Sequence, residues 1–273
     1  MTRFALLFTL LLPQDPVKFE PKNSAGDRVT VKIESSLTLE LVTKDSEGEK
    51  KRVLTLDAQE EYRQEVLLVD GALPRRIKVK CERSARNKTI EGGAPQSWTT
   101  ALQGATFLVT LGAPPKVELE GGGEVPAGGD AVGAWNAWAR MLPKEAKNPG
   151  DSWKVDAGEL SPALWADFEE PTGTIDVKLD RIENNRATLL LSGSVKGRTR
   201  DEFEGGLELG ETSLVFDLAA GKPVSFFLSG KLELARRLVE RRPKPGSLTE
   251  EIEVPLGSVT IKSTRMTVSV KFE

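Results

Sequence analysis

Val29-Thr30-Val31-Lys32-Ile33-Glu34-Ser35-Ser36-Leu37-Thr38-Leu39-Glu40-Leu41 is the stretch that decides the fold class. Apart from Ser35, every odd position is apolar, while Lys32, Glu34, Thr38 and Glu40 stand between them. Successive side chains of a β-strand point to opposite faces, so this alternation reads as one long strand with a buried and a wet face.

The chain around it repeats the pattern. Asp45-Ser46-Glu47-Gly48 is a turn signal, and Leu54, Leu56, Tyr62, Val66 and Leu68 mark the returning strand. Asp70-Gly71 predicts a tight hairpin, after which Leu73, Ile77, Val79 and Cys81 share one face, opposite Arg76, Lys78 and Lys80. A further strand pair is expected over residues 103–111 and 116–120. Later, Ile175, Val177 and Leu179 lead to a turn at Asn184-Asn185, and Ala187, Leu189, Leu191 and Val195 continue beyond it. Leu214, Phe216 and Leu218 precede an Asp217–Lys222 turn. Val224, Phe226, Leu228, Leu232 and Leu234 then form a second long alternation, ending at a turn over Pro243-Lys244-Pro245-Gly246. The parity of the last strand slips at Ser263-Thr264, which predicts a β-bulge.

Between these sets of strands the pattern changes. Gly121 to Gly129 is a glycine-rich connector, and it lacks the lysine and hydroxyl that a phosphate loop requires. Asp130 is a candidate helix cap. Val132, Trp135, Trp138, Ala139 and Leu142 fall at helical spacing, and Pro143 closes the run. Pro149-Gly150-Asp151-Ser152-Trp153 then opens a new series of strands. Pro149, Gly150 and Asp151 are expected to be a structural joint, with Gly150 at positive φ and the Asp151 carboxylate bonding turn amides.

The expected architecture is mainly β. Long curved antiparallel strands form two repeated halves, an open half-barrel or a sandwich-like pair, with one short helix at the joint. Residues 1–14 read as a leader, 15–125 as the first half, 126–148 as helix and linker, and 149–273 as the second half. The repeat rests on three matches in order: Gly26-Asp27 with Gly150-Asp151, Asp70-Gly71 with Asn184-Asn185, and Phe107–Leu111 with Leu214–Leu218.

Composition narrows the function. Charged residues make up 29% of the chain and hydrophobic ones 38%, a balance suited to strands with one wet face. The net charge of −3 gives no general attraction to nucleic acid, and the basic runs lack interleaved aromatics for base stacking. The chain has no histidine, so the commonest general base and zinc ligand are missing. The single cysteine, Cys81, permits no internal disulfide. No metal, cofactor or catalytic residue is expected, and carboxylate pairs such as Glu169-Glu170 and Asp201-Glu202 read as solvated. Arg3 followed by the apolar run Phe4–Leu12 reads as a secretory leader too short to span a membrane. No cysteine follows that run, so the expected product is exported, periplasmic or extracellular, and not lipid-anchored.

The leader, the Gly-Asp strand opening, the hairpins and above all Pro149-Gly150-Asp151-Ser152-Trp153 resemble a family of exported bacterial β-proteins of unknown function. That resemblance implies no catalytic residues. The architecture of long strands with a helix against them also resembles the half-barrels of periplasmic lipoprotein carriers of the LolA type, which would imply a lipid-like cargo.

Two functional readings stand. In the first, Trp135, Trp138 and Trp153 line an apolar groove that binds a lipid or another apolar ligand. In the second, the same tryptophans seal a closed core, and the molecule is a structural or protein-interaction component of the cell envelope. An enzyme relying on carboxylates alone is a minor alternative. The basic groups Arg75, Arg76, Lys78, Lys80, Arg83 and Arg86, and again Arg236, Arg237, Arg241, Arg242 and Lys244, read as wet strand faces or as a contact for an anionic membrane surface.

Overall fold

The computed structural model describes residues 16–112, 115–164, 168–243 and 251–273. The expected leader, Lys244 and the tip of the Pro243–Gly246 turn lie outside these residues, as do the side chains of Arg241 and Arg242. Among the described residues, no helix is long and apolar enough to cross a membrane.

The alternating runs form strands: β1 (Arg28–Asp45), β2 (Gly48–Asp70), β3 (Leu73–Ile90), β4 (Gln96–Thr99), β5 (Thr106–Thr110) and β6 (Lys116–Leu119). After the joint come β7 (Ser152–Asp156), β8 (Glu169–Glu183), β9 (Arg186–Arg198), β10 (Glu204–Asp217), β11 (Lys222–Pro243) and β12 (Glu251–Phe272). All belong to one 12-stranded sheet in the order β6-β5-β3-β2-β1-β12-β11-β10-β9-β8-β7, with β4 added beside β3. The sheet is open, with β6 and β7 at its edges, so of the two expected forms it is not a sandwich. The first strand pairs with the last along Val31↔Phe272 to Lys44↔Ser258. The long pairing sets both halves around one shared hydrophobic core.

The sheet bends where its ladders slip. One slip falls between Thr38 and Leu39, opposite the unpaired Thr264, at the bulge the parity change predicts. Another bend needs glycine. Gly173 on β8 and Gly193 on β9 have φ of +129° and +131°. A Cβ on either would come within 2.2 Å of Ser194 O or 2.4 Å of Thr174 O. Only a residue without a side chain lets the two backbones approach that closely.

The connection from β6 to β7 must travel from one sheet edge to the other, and it crosses the inner face. It contains a 3-10 turn (Gly129–Ala131) and a 3-10 helix (Ala134–Met141). The short helix expected at the joint is present, in 3-10 geometry. Val132, Trp135, Trp138 and Met141 are its large buried side chains, one every third residue. That interval matches the 3.0-residue repeat of a 3-10 helix, so one row faces the sheet without drifting. The expected Asp130 cap is also absent. Gly128 and Gly133 occupy the cap positions in left-handed geometry, and Asp130 lies 3.4 Å from Arg200. A four-residue helix, α1 (Ala157–Leu160), and a 3-10 turn (Ser161–Leu164) follow β7 and add Leu160 and Leu164 to the core.

Candidate functional site

The inner face of the sheet has two ends with different fates. At one end the crossing helix and the segment before β1 close it. Trp135 Nε1 donates to Gln64 Oε1 at 2.9 Å, and Gln64 Nε2 donates to Asn136 Oδ1 at 3.0 Å. Tyr62 and Trp135 have ring centroids 4.9 Å apart, Trp138 and Phe216 5.6 Å, and Phe216 and Phe19 5.8 Å. Trp153 is half-buried beside Phe19, and its Nε1 donates to Met141 O at 2.9 Å. Trp135 and Trp138 are each only 4% exposed. Trp135, Trp138 and Trp153 thus each have partners within the chain, and these aromatics tie β2, the crossing helix, β10 and β7 together.

The joint that delivers β7 to the sheet edge is a hydrogen-bonded turn. Gly150 has φ of +98°, its N–H donates to Leu179 O at 2.6 Å, and Leu179 N–H donates back to Asp151 O at 2.9 Å. Asp151 Oδ2 accepts from Asn148 N–H at 2.8 Å. Pro149 and Gly150 are the two central residues of this turn, which Asp151 N–H closes by donating to Asn148 O at 3.0 Å.

A polar group marks where the closed end stops. Tyr62 Oη donates to Glu60 Oε2 at 2.9 Å, and Arg86 Nη2 binds Glu60 Oε1. Burial, reinforced by the Glu60 charge, pushes the Tyr62 hydroxyl far above its ordinary value. Burial followed by Glu60 raises Cys81 to about 11, so its thiol stays protonated at neutral pH and is a poor nucleophile.

Beyond this group the apolar alternation continues along β1 and β2. Residues directly opposite in an antiparallel ladder share a face. One row runs Lys88↔Leu56↔Leu37↔Met266, the next Ile90↔Leu54↔Leu39, and a third Arg52↔Leu41↔Ile261↔Leu234. Met266 and Leu234 belong to the core, and Leu37 and Ile261 pack against it. Leu39, Leu41, Leu54 and Leu56 lie outside it and are half-buried. Ile90 and Trp98 at the margin are 46% and 44% exposed. Sequence reasoning placed the ligand contacts on the tryptophans; the leucine strip is a separate apolar surface, only partly covered by the described residues.

The other expected features lie apart from it. In the first basic group, Lys78 pairs with Glu120 at 2.6 Å and Lys80 with Glu82 at 3.2 Å. Glu169 stands 3.9 Å from Arg198, and Asp201 and Glu202 sit exposed between β9 and β10. A cavity of about 1170 Å³ on β9–β11 has three bases (Lys196, Arg198, Lys231) set against three acids (Glu204, Glu208, Glu233). No group of three or more metal-ligating side chains occurs among the described residues.

No protein-family model and no curated protein matches this chain. Among solved structures, lipovitellin, described for its lipid–protein interactions, aligns over 94% of the chain with 7% identity and a TM-score of 0.45. The chain spans about a quarter of lipovitellin's length, 25%. A Vibrio parahaemolyticus domain described as an outer membrane lipoprotein-sorting protein aligns over 88% of this chain and 85% of its own. Its identity is 10% and its TM-score 0.14. Neither likeness identifies a residue of the strip, which rests on the chain's own geometry.

Proposed function

We propose that the protein is an exported, non-catalytic binding module that holds an apolar, lipid-like ligand on the leucine strip. One observation carries this reading. On β1 and β2, Leu39, Leu41, Leu54 and Leu56 extend the core face past the last buried residues of those strands, Ile33 and Ala58, and are only half-buried. Apolar surface gains roughly 25 cal/mol for each Å² removed from water, so a continuous strip is a ready contact for a hydrocarbon chain. The run Phe4–Leu12 supports export. The absence of histidine and the inert Cys81 thiol support a role without catalysis.

The filled end favours a second reading, an envelope protein with a closed core, because Trp135 and Trp138 are buried against residues of the chain itself. The readings separate in one experiment. Purified full-length protein is incubated with methyl oleate, re-isolated, and its organic extract read by mass spectrometry. Stoichiometric uptake by the wild type, lost in Leu39→Glu with the circular dichroism unchanged, is expected. No uptake by the wild type, or equal uptake by the folded variant, overturns the ligand reading in favour of the closed protein.

A further inference from the structure

The β2–β3 hairpin ends in apolar side chains where two other hairpins end in polar ones. The tips at residues 45–48 and 183–186 carry only polar side chains and glycine. At the β2–β3 tip, Leu67, Leu68 and Leu73 are 38%, 50% and 43% exposed. The ladder slips twice here, leaving Leu67 and Arg75 without a partner across the hairpin. Such bulges sharpen the local twist, and past the buried pair Val66↔Ile77 the three leucines are no longer covered. A cavity of about 160 Å³ lies beside the tip, lined by Leu73, Pro74, Leu111, Pro115 and Ala137. Residues 66–77 hold two bases, Arg75 and Arg76, against one acid, Asp70. Among the described residues neither arginine forms an ion pair. Glu118, whose charge Arg76 also feels, lies 2.7 Å from Lys116. Arg76 stands directly opposite Leu68, so a cation and a leucine share one face of the tip.

A two-stranded tip offers little area to a folded partner, since stable protein interfaces bury about 800 Å² on each side. A bilayer surface asks for less: apolar side chains that enter the head-group region, and cations that meet its phosphates. We propose that the β2–β3 hairpin docks the protein on an anionic phospholipid surface. Leu67, Leu68 and Leu73 enter the lipid, and Arg75 and Arg76 lie on the phosphates. Asp70 at the apex opposes the approach. Along β2 the run from Leu56 to Leu67 covers about 36 Å at a strand rise of roughly 3.3 Å per residue. Docking by the tip therefore leaves the leucine strip clear of the bilayer and does not depend on that strip being a ligand site.

The test is co-sedimentation of the full-length protein with vesicles of phosphatidylglycerol and phosphatidylcholine, titrated in lipid. Wild type is expected to bind them, and to bind vesicles of phosphatidylcholine alone about tenfold more weakly. Leu68→Ser/Leu73→Ser and Arg75→Gln/Arg76→Gln should each weaken binding to the anionic vesicles about tenfold, the arginine effect shrinking at high salt. Asp70→Asn should strengthen it. All these positions are exposed, and equal melting curves confirm the fold. Every variant keeps the same amino-terminal run, so a difference reads the hairpin alone. Leu39→Glu should bind the vesicles as wild type does, and an equal loss in that variant would move the contact to the strip and overturn the proposal. Equal binding by wild type and the leucine variant overturns it, as does a wild type without affinity for anionic vesicles. A lipid-free dimer in sedimentation equilibrium, dissociated by the leucine variant, would assign the leucines to a second copy of the chain and also overturn it.

Discussion

Val31 and Leu39 share one strand and one face of it, yet Val31 is fully buried and Leu39 only half-buried. The difference lies in what arrives from elsewhere in the chain. Val31 stands at the end of the sheet closed by the crossing helix and Phe19; Leu39 stands past the Glu60–Arg86 group. A single alternating pattern therefore produces a core at one end and a surface at the other. Stability and binding should divide along the same line.

The largest expected effect is at the closed end. Trp138→Ala removes a buried ring packed at a tilt against Phe216 and should cost about 3–5 kcal/mol, as aromatic truncations in packed cores do. Leu39→Ala removes a half-buried side chain and should cost about 1 kcal/mol. Urea melts of both variants check the contrast. Equal losses would show that the strip is as tightly packed as the core and would remove the basis for a ligand there.

The joint comes next. Asp151→Ala removes the carboxylate that accepts from Asn148 N–H and should cost about 1 kcal/mol. The turn keeps its backbone bonds to Leu179, so the strand should stay in place. Affinity for methyl oleate should be unchanged, because the joint lies at the β7 edge and the strip on β1, β2 and β12. A stable Asp151→Ala protein without ligand binding would make the joint part of the site.

Much of this fold is legible in the sequence because strand alternation is a local signal. The run from Val29 to Leu41 becomes β1, and the slipped parity at Thr264 is the bulge opposite Thr38 and Leu39. The crossing helix was half legible. Its apolar stripe is plain, but the interval of three from Val132 to Met141, which selects 3-10 geometry, is masked by Ala139 and Leu142 at helical positions. The β1–β12 pairing has no local signature, since it joins the two ends of the described chain. For the same reason the strip was not legible as a site. Leu39 and Val31 obey the same alternation, and only the course of a distant segment decides which is covered. Trp135, Trp138 and Trp153 stand out in the sequence as large apolar groups, whereas the half-buried strip is made of ordinary leucines in strands.

The smallest expected effect tests how the closed end is fastened. Asp27 Oδ2 accepts from Ser24 N–H at 3.0 Å and from Lys222 Nζ at 2.9 Å, linking the segment before β1 to the start of β11. The hydrogen bond from Lys222, then that from Ser24, holds the Asp27 carboxyl below its ordinary value of 3.8. The folded state therefore binds this proton less readily than the unfolded chain. The stability it contributes is fully present above the ordinary carboxylate range and is lost as pH falls through the depressed folded value. The pair is partly exposed, so screening limits it to a few tenths of a kcal/mol at neutral pH. Asp27→Asn should be destabilised by that amount at pH 7, and the gap to wild type should close as pH falls through the depressed folded value. Urea melts of the two proteins across this range provide the measurement. A gap that stays constant as pH falls well below the ordinary carboxylate range would mean that the aspartate acts through shape and not charge, and that backbone bonds such as Lys22 N–H to Gly221 O and the Phe19 contacts fasten the closed end.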